Sequence, residues 1–296
     1  MRAAVTNLRT WGEMVKFSHS LFALPFAVLA TFLAARPHLP TWRQGGLILV
    51  CMVAARSAAM TFNRIVDARF DAANPRTANR HLPTGQISTR AAWLFFLLAC
   101  AAFIAACGGF LFFEKNPWPL VLCLPVLGIL CSYSYTKRFT TFSHLILGAA
   151  IALAPVAAWI AIRPDTLGSS AWLLMAVVTF WIAGFDLIYA CQDVGFDRAA
   201  GLYSVPARLG VGPALWLARF FHLLTVAGLV AVGLTASLSA WYYAGVICVA
   251  VLLIVENALV HPNDLSRVNL AFFTVNGIVG VVLGILGVVD VCLSLR

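Results

Sequence analysis

The sequence predicts an all-α integral membrane protein, with about nine transmembrane helices in one bundle. Three observations support this fold class: 62% of the residues are hydrophobic, only 10% are charged, and the apolar residues come in blocks of about 20. A helix needs about that length to cross a hydrocarbon core. These polar residues are too few to form the surface of a soluble globular protein. We therefore expect one transmembrane domain over residues 1–296.

Charged residues, proline and glycine mark the breaks between the apolar blocks and define nine candidate spans. The spans lie near residues 17–36, 46–66, 91–113, 118–135, 142–162, 171–190, 214–235, 239–260 and 268–292. The first block is long for the apolar region of a signal peptide and lacks a convincing cleavage site after it. We expect it to remain attached as the first membrane helix.

The cationic residues predict the orientation of these spans. If the N-terminus is cytoplasmic, fourteen of the 20 Lys and Arg residues lie on or nearest the cytoplasmic side, five lie on the other side, and Arg56 falls within a span. Cytoplasmic loops of membrane proteins are enriched in Lys and Arg. Topology therefore explains the net charge of +9, and we expect membrane lipid and no nucleic acid as a partner.

Two connections on the predicted cytoplasmic side are much richer in charge than the others. They cover residues 63–85 and 186–210 and contain five of the eleven acidic residues. Both include the string Asp-x-x-Phe-Asp, and in both copies basic residues and a proline follow. This repetition predicts two related halves, each bearing an Asp-rich motif at a cytoplasmic helix end.

The first motif has the spacing of one helix face. Asn63, Asp67 and Asp71 recur every four residues, so they project from nearly the same side of a helix that extends the second span. Pro75 disfavours a helical conformation in the residue before it. We therefore expect this helix to end near Ala73.

The second motif repeats the spacing with Tyr189, Asp193 and Asp197, again at the end of a span. Two carboxylates four residues apart repel each other on a helix, and a hard divalent cation offsets that repulsion. Mg²⁺ prefers oxygen ligands and typically binds one or two carboxylates together with substrate phosphates. The pattern predicts catalytic carboxylates at both motifs and these metal ligands: Asn63, Asp67, Asp71, Asp193 and Asp197.

Basic residues near both motifs favour a diphosphate as the ligand of these metal ions. Carboxylates alone would repel a diphosphate, whereas guanidinium and ammonium groups donate hydrogen bonds to phosphate oxygens. The candidate diphosphate-binding residues are Arg64, Arg76, Arg80, Lys137, Arg138 and Arg198. For any one of them the alternative is a purely topological role.

At these residues the sequence resembles the UbiA superfamily of membrane-embedded prenyltransferases. The first signature of that superfamily, Asn-x-x-x-Asp-x-x-x-Asp, is matched by Asn63, Asp67 and Asp71. The second, Asp-x-x-x-Asp, is matched by Asp193 and Asp197. The resemblance extends over essentially the whole chain.

Two further segments refine the resemblance. Arg64 stands where many members have Asp directly after the first Asn, which changes one possible water or metal contact. Residues 16–27 are similar to bacterial 4-hydroxybenzoate polyprenyltransferase-like proteins, especially to the branch assigned to menaquinone synthesis through the futalosine route. Residues 133–138, Tyr-Ser-Tyr-Thr-Lys-Arg, belong to the resemblance as well.

The resemblance implies Mg²⁺-dependent transfer of a polyprenyl group from polyprenyl diphosphate to an aromatic acid in the bacterial inner membrane. The acceptor would be 4-hydroxybenzoate-like or dihydroxynaphthoate-like, as in ubiquinone or menaquinone biosynthesis. Candidate acceptor contacts are Lys16, His19, Arg138, Asp186 and Tyr189. Acids inside spans are costly and usually functional, so Asp186 is expected to orient either the acceptor or a basic residue.

Three alternatives remain open at this point. A multi-span transporter also combines intramembrane acids with internal repeats, although its polar groups should cluster near mid-span. Within the same superfamily, haem, chlorophyll and homogentisate prenylation are possible activities. A membrane CDP-alcohol phosphotransferase would need a longer Asp-Gly-x-x-Ala-Arg signature that the sequence lacks.

Overall fold

A computed structural model describes residues 10–15 and 20–295 of the chain. The described residues form helices and connections, with no β-strand among them. The helices are α1 (Ser20–Ala35), α2 (Trp42–Ala73), α3 (Thr89–Glu114), α4 (Trp118–Ser132), α5 (Ser143–Ile151), α6 (Leu153–Ile162), α7 (Ser169–Ala190), α8 (Val194–Ala199), α9 (Val205–Leu209), α10 (Val211–Thr235), α11 (Ala240–Leu259), α12 (Val268–Leu270) and α13 (Asn276–Ser294). Short 3₁₀ helices occupy Tyr133–Arg138, Pro164–Thr166 and Cys191–Asp193, and a π-helical segment occupies Ala271–Val275.

Eight segments of the described chain are long and apolar enough to cross a membrane. They are Trp42–Ala73, Thr89–Glu114, Trp118–Arg138, Ser143–Ile162, Ser169–Ala199, Val211–Thr235, Ala240–Leu259 and Val268–Ser294. A shorter apolar helix, Phe22–Ala35, coincides with the described part of the first predicted span. The prediction of an all-helical, multi-pass membrane protein is confirmed.

Proline explains two helix boundaries. Helix α2 ends at Ala73 as predicted, two residues before Pro75. The predicted span 142–162 is divided after Ile151. Pro155 lies four residues further on, and a proline ring clashes with the carbonyl group four residues before it.

The chain separates into two compact units. The first consists of Leu49–Tyr135 and the described part of Met1–Ser20, and it contains the first Asp motif. Its core joins α2, α3 and α4 through small and aromatic residues, for example Ala58, Phe103 and Leu127.

The second unit consists of Leu21–Ile48 and the described part of Thr136–Arg296, and it contains the second Asp motif. Within this unit α7 packs against both α5 and α10. The α5–α7 contact is close because Gly148 has no side chain: a Cβ atom at Gly148 would lie 2.3 Å from the carbonyl oxygen of Thr179.

A hydrogen-bonded polar cluster lies inside the second unit, around Glu256, to which sequence alone assigns no role. The Glu256 side chain is fully buried, and its Oε1 accepts a hydrogen bond from Asn276 Nδ2 at 2.7 Å. Asn276 Oδ1 accepts one from Trp181 Nε1 at 2.7 Å. Buried polar groups in a membrane protein must find partners within the protein, and this cluster links α7, α11 and α13.

We expect Gly148→Ala to destabilise the second unit by about 2 kcal/mol or more, because the new Cβ would overlap a backbone oxygen that cannot rotate away. The measurement is the apparent melting temperature of the purified protein in detergent.

Gly108→Ala is the matched control, since Gly108 is also a buried helical glycine but has no atom within 4 Å of its added Cβ. Alanine there should leave the melting temperature unchanged or raise it slightly, because alanine is the better helix former. Equal melting temperatures for the two variants would contradict the close α5–α7 contact.

Candidate active site

The first Asp motif lies on one uninterrupted helix, so the predicted shared face of Asn63, Asp67 and Asp71 is present in α2. Asn63 Nδ2 donates a hydrogen bond to Asp67 Oδ2 at 2.9 Å and lies 3.4 Å from Ser134 Oγ. Asn63 therefore connects the first carboxylate of the motif to the 3₁₀ segment that follows α4.

Asp71 is buried between two guanidinium groups. Arg80 Nη1 lies 2.5 Å from Asp71 Oδ1, and Arg64 Nη1 lies 3.9 Å from Asp71 Oδ2. The Oδ2 atom is itself buried and accepts no hydrogen bond from the described residues. A buried carboxylate oxygen without a hydrogen-bond donor is rare in folded proteins, so Oδ2 is a candidate ligand for a cation.

Local hydrogen bonds in the loop after α2 bring Arg80 back to Asp71. The Arg76 backbone N–H donates to Asn74 Oδ1 at 3.0 Å, which forms a tight turn at the end of the helix. Thr77 Oγ1 donates to the Asp71 carbonyl oxygen at 3.0 Å, and the Arg80 N–H donates to the Thr77 carbonyl oxygen at 3.0 Å. The loop is thus a series of turns anchored on Asp71.

Arg56 is a half-buried cation that sequence analysis left outside the site. It lies within α2, seven residues before Asn63 and eleven before Asp67, a spacing that places the three on a similar helix face. Its Nε atom is buried and donates no hydrogen bond within the part of the chain that the structure describes. Its position inside an apolar span was the available signal, because charges there are usually functional.

The second Asp motif differs from the predicted continuous helix. Helix α7 ends at Ala190, a 3₁₀ turn covers Cys191–Asp193, and α8 begins at Val194. A 3₁₀ helix has three residues per turn, whereas an α-helix has 3.6. The four-residue steps from Tyr189 to Asp197 therefore do not follow one regular helix face.

Asp197 is held by Ser204, a residue that sequence analysis missed. Both are buried, and Ser204 Oγ donates to Asp197 Oδ2 at 2.7 Å. The same Oγ accepts a hydrogen bond from the Ala207 N–H at 3.3 Å and so caps the N-terminus of α9. Its single proton is thereby directed at the carboxylate, which fixes the rotamer of Asp197.

Asp186 lies in hydrogen-bond contact with a basic residue, His144. His144 Nδ1 lies 2.6 Å from Asp186 Oδ2, and His144 Nε2 lies 3.4 Å from the Val205 backbone nitrogen. Because Nε2 accepts the Val205 N–H, the ring proton lies on Nδ1 and is donated to Asp186. This chain of contacts links α7 and α5 to the start of α9.

Backbone groups around the second motif engage several of the predicted basic residues. Arg198 Nε donates to the Ala207 carbonyl oxygen at 2.8 Å. The Tyr203 N–H donates to the Lys137 carbonyl oxygen at 2.7 Å. Lys137 and Arg138 end the 3₁₀ segment after α4, so the Lys137 backbone lies beside the loop between α8 and α9.

Tyr189 packs against the π-helical segment. Its ring centroid is 4.2 Å from that of Phe272, and Phe272 also contacts Phe185 edge-on at 5.1 Å. Lys16 and His19, the acceptor contacts predicted in the first span, lie outside the described residues.

Comparison with known proteins gives a family match over most of the chain. The model of the UbiA prenyltransferase family matches residues 23–278. The chain belongs to this family. It is therefore a membrane prenyltransferase.

Named relatives of this prenyltransferase include two 4-hydroxybenzoate octaprenyltransferases. The protein from Nitrosomonas eutropha is 30% identical over 231 residues, which is 77% of each chain. The protein from Aliivibrio fischeri is 28% identical over 263 residues, which is 89% of each chain.

Solved structures show the same fold. A UbiA homolog from Aeropyrum pernix K1, in its apo form, superimposes with a TM-score of 0.82 at 32% identity and covers 92% of this chain and 98% of its own. A UbiA homolog from Archaeoglobus fulgidus bound to DMAPP and Mg²⁺ superimposes with a TM-score of 0.72 at 20% identity, covering 96% and 99%.

We expect Ser204→Ala to lower stability by about 2 kcal/mol, because it removes both a helix cap and a hydrogen bond to a buried carboxylate. Ser204→Thr keeps the hydroxyl group and should restore most of the loss. The apparent melting temperature in detergent reports both effects.

Ser143→Ala is the matched control. Ser143 is as buried as Asp197, but its Oγ makes only a 3.4 Å contact with the Tyr203 carbonyl oxygen. If Ser143→Ala lowers the melting temperature as much as Ser204→Ala does, the hydrogen bond to the Asp197 carboxylate does not contribute more to stability than the weaker Ser143 contact.

Proposed function

We propose that this prenyltransferase transfers a polyprenyl group from polyprenyl diphosphate to an aromatic acid in quinone biosynthesis, with Mg²⁺ as its cofactor. The acceptor is 4-hydroxybenzoate-like or dihydroxynaphthoate-like. The observation that carries the proposal is the buried Asp71, which combines a carboxylate oxygen lacking a hydrogen bond with two adjacent guanidinium groups. This combination suits a metal ion and a polyanion together.

The relatives support both substrates. Two of them are named for octaprenyl transfer to 4-hydroxybenzoate. Homologous folds from Archaeoglobus fulgidus hold DMAPP with Mg²⁺ or GPP with Mg²⁺, and both ligands are short prenyl diphosphates.

The donor atoms of the motifs fit Mg²⁺. Carboxylate and amide oxygens are hard ligands that this ion prefers, and the diphosphate and water complete its coordination. We assign the ligands as Asn63, Asp67, Asp71, Asp193 and Asp197. When bound, the ion neutralises charge that develops on the diphosphate as it leaves.

In the proposed reaction the bond between the prenyl carbon and the diphosphate oxygen breaks, and the electron pair leaves with the diphosphate. The allylic carbon then forms a bond to an electron-rich ring carbon of the acceptor, and that carbon loses its proton. The diphosphate oxygens accept hydrogen bonds from the basic side chains of Arg64, Arg76, Arg80, Lys137, Arg138 and Arg198. The surrounding apolar helices exclude water that would otherwise quench the cation.

Arg56 is our added candidate for the carboxylate of the acceptor. A guanidinium group matches the geometry of a carboxylate with two parallel hydrogen bonds. The buried Nε of Arg56 donates no hydrogen bond to any residue in the described ranges 10–15 and 20–295. The acceptor contacts proposed from sequence stand beside it: Arg138, Asp186, Tyr189, Lys16 and His19. Asp186 acts through His144, which its carboxylate orients.

We also propose that residues 1–296 form one functional domain in the bacterial inner membrane, with a cytoplasmic N-terminus. The excess of Lys and Arg in alternate loops supports this orientation. Both motifs then lie on the cytoplasmic side, where a water-soluble aromatic acid has access.

We expect Asp67→Asn and Asp197→Asn each to lower the turnover rate at least about 100-fold, because each removes a charge that holds the metal–diphosphate complex. The assay is Mg²⁺-dependent incorporation of labelled polyprenyl diphosphate into 4-hydroxybenzoate and 1,4-dihydroxy-2-naphthoate. Asp264→Asn removes an exposed carboxylate outside both motifs and should retain activity. Motif variants as active as Asp264→Asn would refute the proposed chemistry.

For Arg56→Gln we expect the KM for the aromatic acid to rise at least about tenfold, with the KM for the prenyl diphosphate changed less than about twofold. The methyl ester of the acceptor provides the sharper comparison. Wild type should prefer the acid, whereas Arg56→Gln should use acid and ester about equally. A variant that keeps the preference for the acid would remove Arg56 from the acceptor site.

A further inference from the structure

Arg80 and the metal ion assigned to Asp71 require the same carboxylate. Arg80 Nη1 lies 2.5 Å from Asp71 Oδ1. Arg64 Nη1 lies on the other side of that carboxylate, 3.9 Å from Oδ2. Both cations compensate the negative charge of Asp71 within the protein itself.

We propose that Arg80 changes partner during the binding step: it is paired with Asp71 in the resting enzyme and moves to the diphosphate when Mg²⁺ and the prenyl diphosphate bind. This inference rests on the proposed function and adds to it a dependence of metal binding on diphosphate binding. The first motif reaches its full affinity for the metal ion only when an anion is present with which Arg80 can pair instead of Asp71.

Electrostatic competition is the first argument for the exchange. The side chain of Asp71 is only 9% exposed, so its surroundings screen charge poorly compared with water. A divalent cation placed on this carboxylate would lie close to two guanidinium groups. Repulsion between these cations opposes metal binding until a diphosphate contributes negative charge.

The difference between the two arginines is the second argument. Arg64 is on the membrane helix α2, and its side chain is 9% exposed. Arg80 is on the loop after that helix, and its side chain is 26% exposed. Turns of the loop are held by backbone and threonine contacts, such as Thr77 Oγ1 to the Asp71 carbonyl oxygen. Arg80 can therefore change its rotamer while the loop stays anchored.

Thermodynamic linkage gives the exchange a distinctive signature. If Arg80 competes with the metal ion and also binds the diphosphate, then metal and diphosphate strengthen each other's binding. Removing the guanidinium should change the two affinities in opposite directions. An arginine that only supports the structure would weaken both.

The experiment compares wild type with Arg80→Gln in detergent, using Mn²⁺ as the probe of the metal site. Binding of Mn²⁺ alone is measured from the electron paramagnetic resonance signal of the free ion. Binding of inorganic diphosphate is measured by calorimetry at saturating Mg²⁺. We expect Arg80→Gln to bind Mn²⁺ alone about tenfold more tightly and diphosphate about tenfold more weakly, within the usual range for coupled sites.

Two variants test the cause. Arg80→Lys keeps a cation in the loop and should stay within about twofold of wild type for Mn²⁺; a gain equal to that of Arg80→Gln would contradict the electrostatic cause. Arg90→Gln removes an exposed positive charge ten residues further along the chain, and it should change neither affinity.

The double variant Arg80→Gln/Asp71→Asn assigns the effect to one carboxylate. We expect the gain in Mn²⁺ affinity to disappear in it, because non-additivity marks two groups in direct contact. A gain that persists would overturn the exchange at Asp71. So would an Arg80→Gln variant that binds Mn²⁺ as wild type does, or less tightly.

Failure of the inference and failure of the proposed function remain distinguishable. If Asp71→Asn alone lowers Mn²⁺ affinity and Arg80→Gln does not raise it, only the exchange is refuted. If Asp71→Asn binds Mn²⁺ as tightly as wild type in the presence of diphosphate, the metal assignment of the proposed function is refuted as well.

Discussion

The ion pair between Asp71 and Arg80 ties the end of a membrane helix to the loop that follows it. A carboxylate this deeply buried would be costly without a partner, and the loop supplies one within nine residues. The electrostatic state of the first motif is thus set by this contact, while backbone and threonine hydrogen bonds hold the loop itself.

In the second motif the buried carboxylate is paired with a neutral hydrogen-bond donor. The hydroxyl group of Ser204 holds Asp197 and caps α9 at once, so the carboxylate is oriented while its charge is retained. Outer donors of this kind commonly fix the geometry of metal ligands. One carboxylate of each motif is therefore paired with a donor from a following loop, a cation in the first motif and a hydroxyl group in the second.

Other buried polar groups show how the helices are tied together away from the motifs. Asp290 accepts hydrogen bonds from the backbone N–H groups of Ser239 and Tyr242, at 2.9 and 3.3 Å, and so caps α11. Glu256 and Asn276 form a further link inside the same unit. Since lipid offers no hydrogen bonds, these groups must pair with each other, which restricts how the helices can pack.

Sequence alone determined the membrane fold class and the end of α2, because apolar length and the position of Pro75 are local properties of the chain. It also identified both Asp motifs, because residues four apart lie on the same face of a helix and this spacing is a local property of the sequence. Only the tertiary structure decided which donors these acids meet. His144 and Asp186 are 42 residues apart in the chain, and no local pattern specifies that their side chains touch. The 3₁₀ turn at Cys191–Asp193 and the burial of the Arg56 Nε atom likewise depend on how helices pack, and packing is a property of the folded chain.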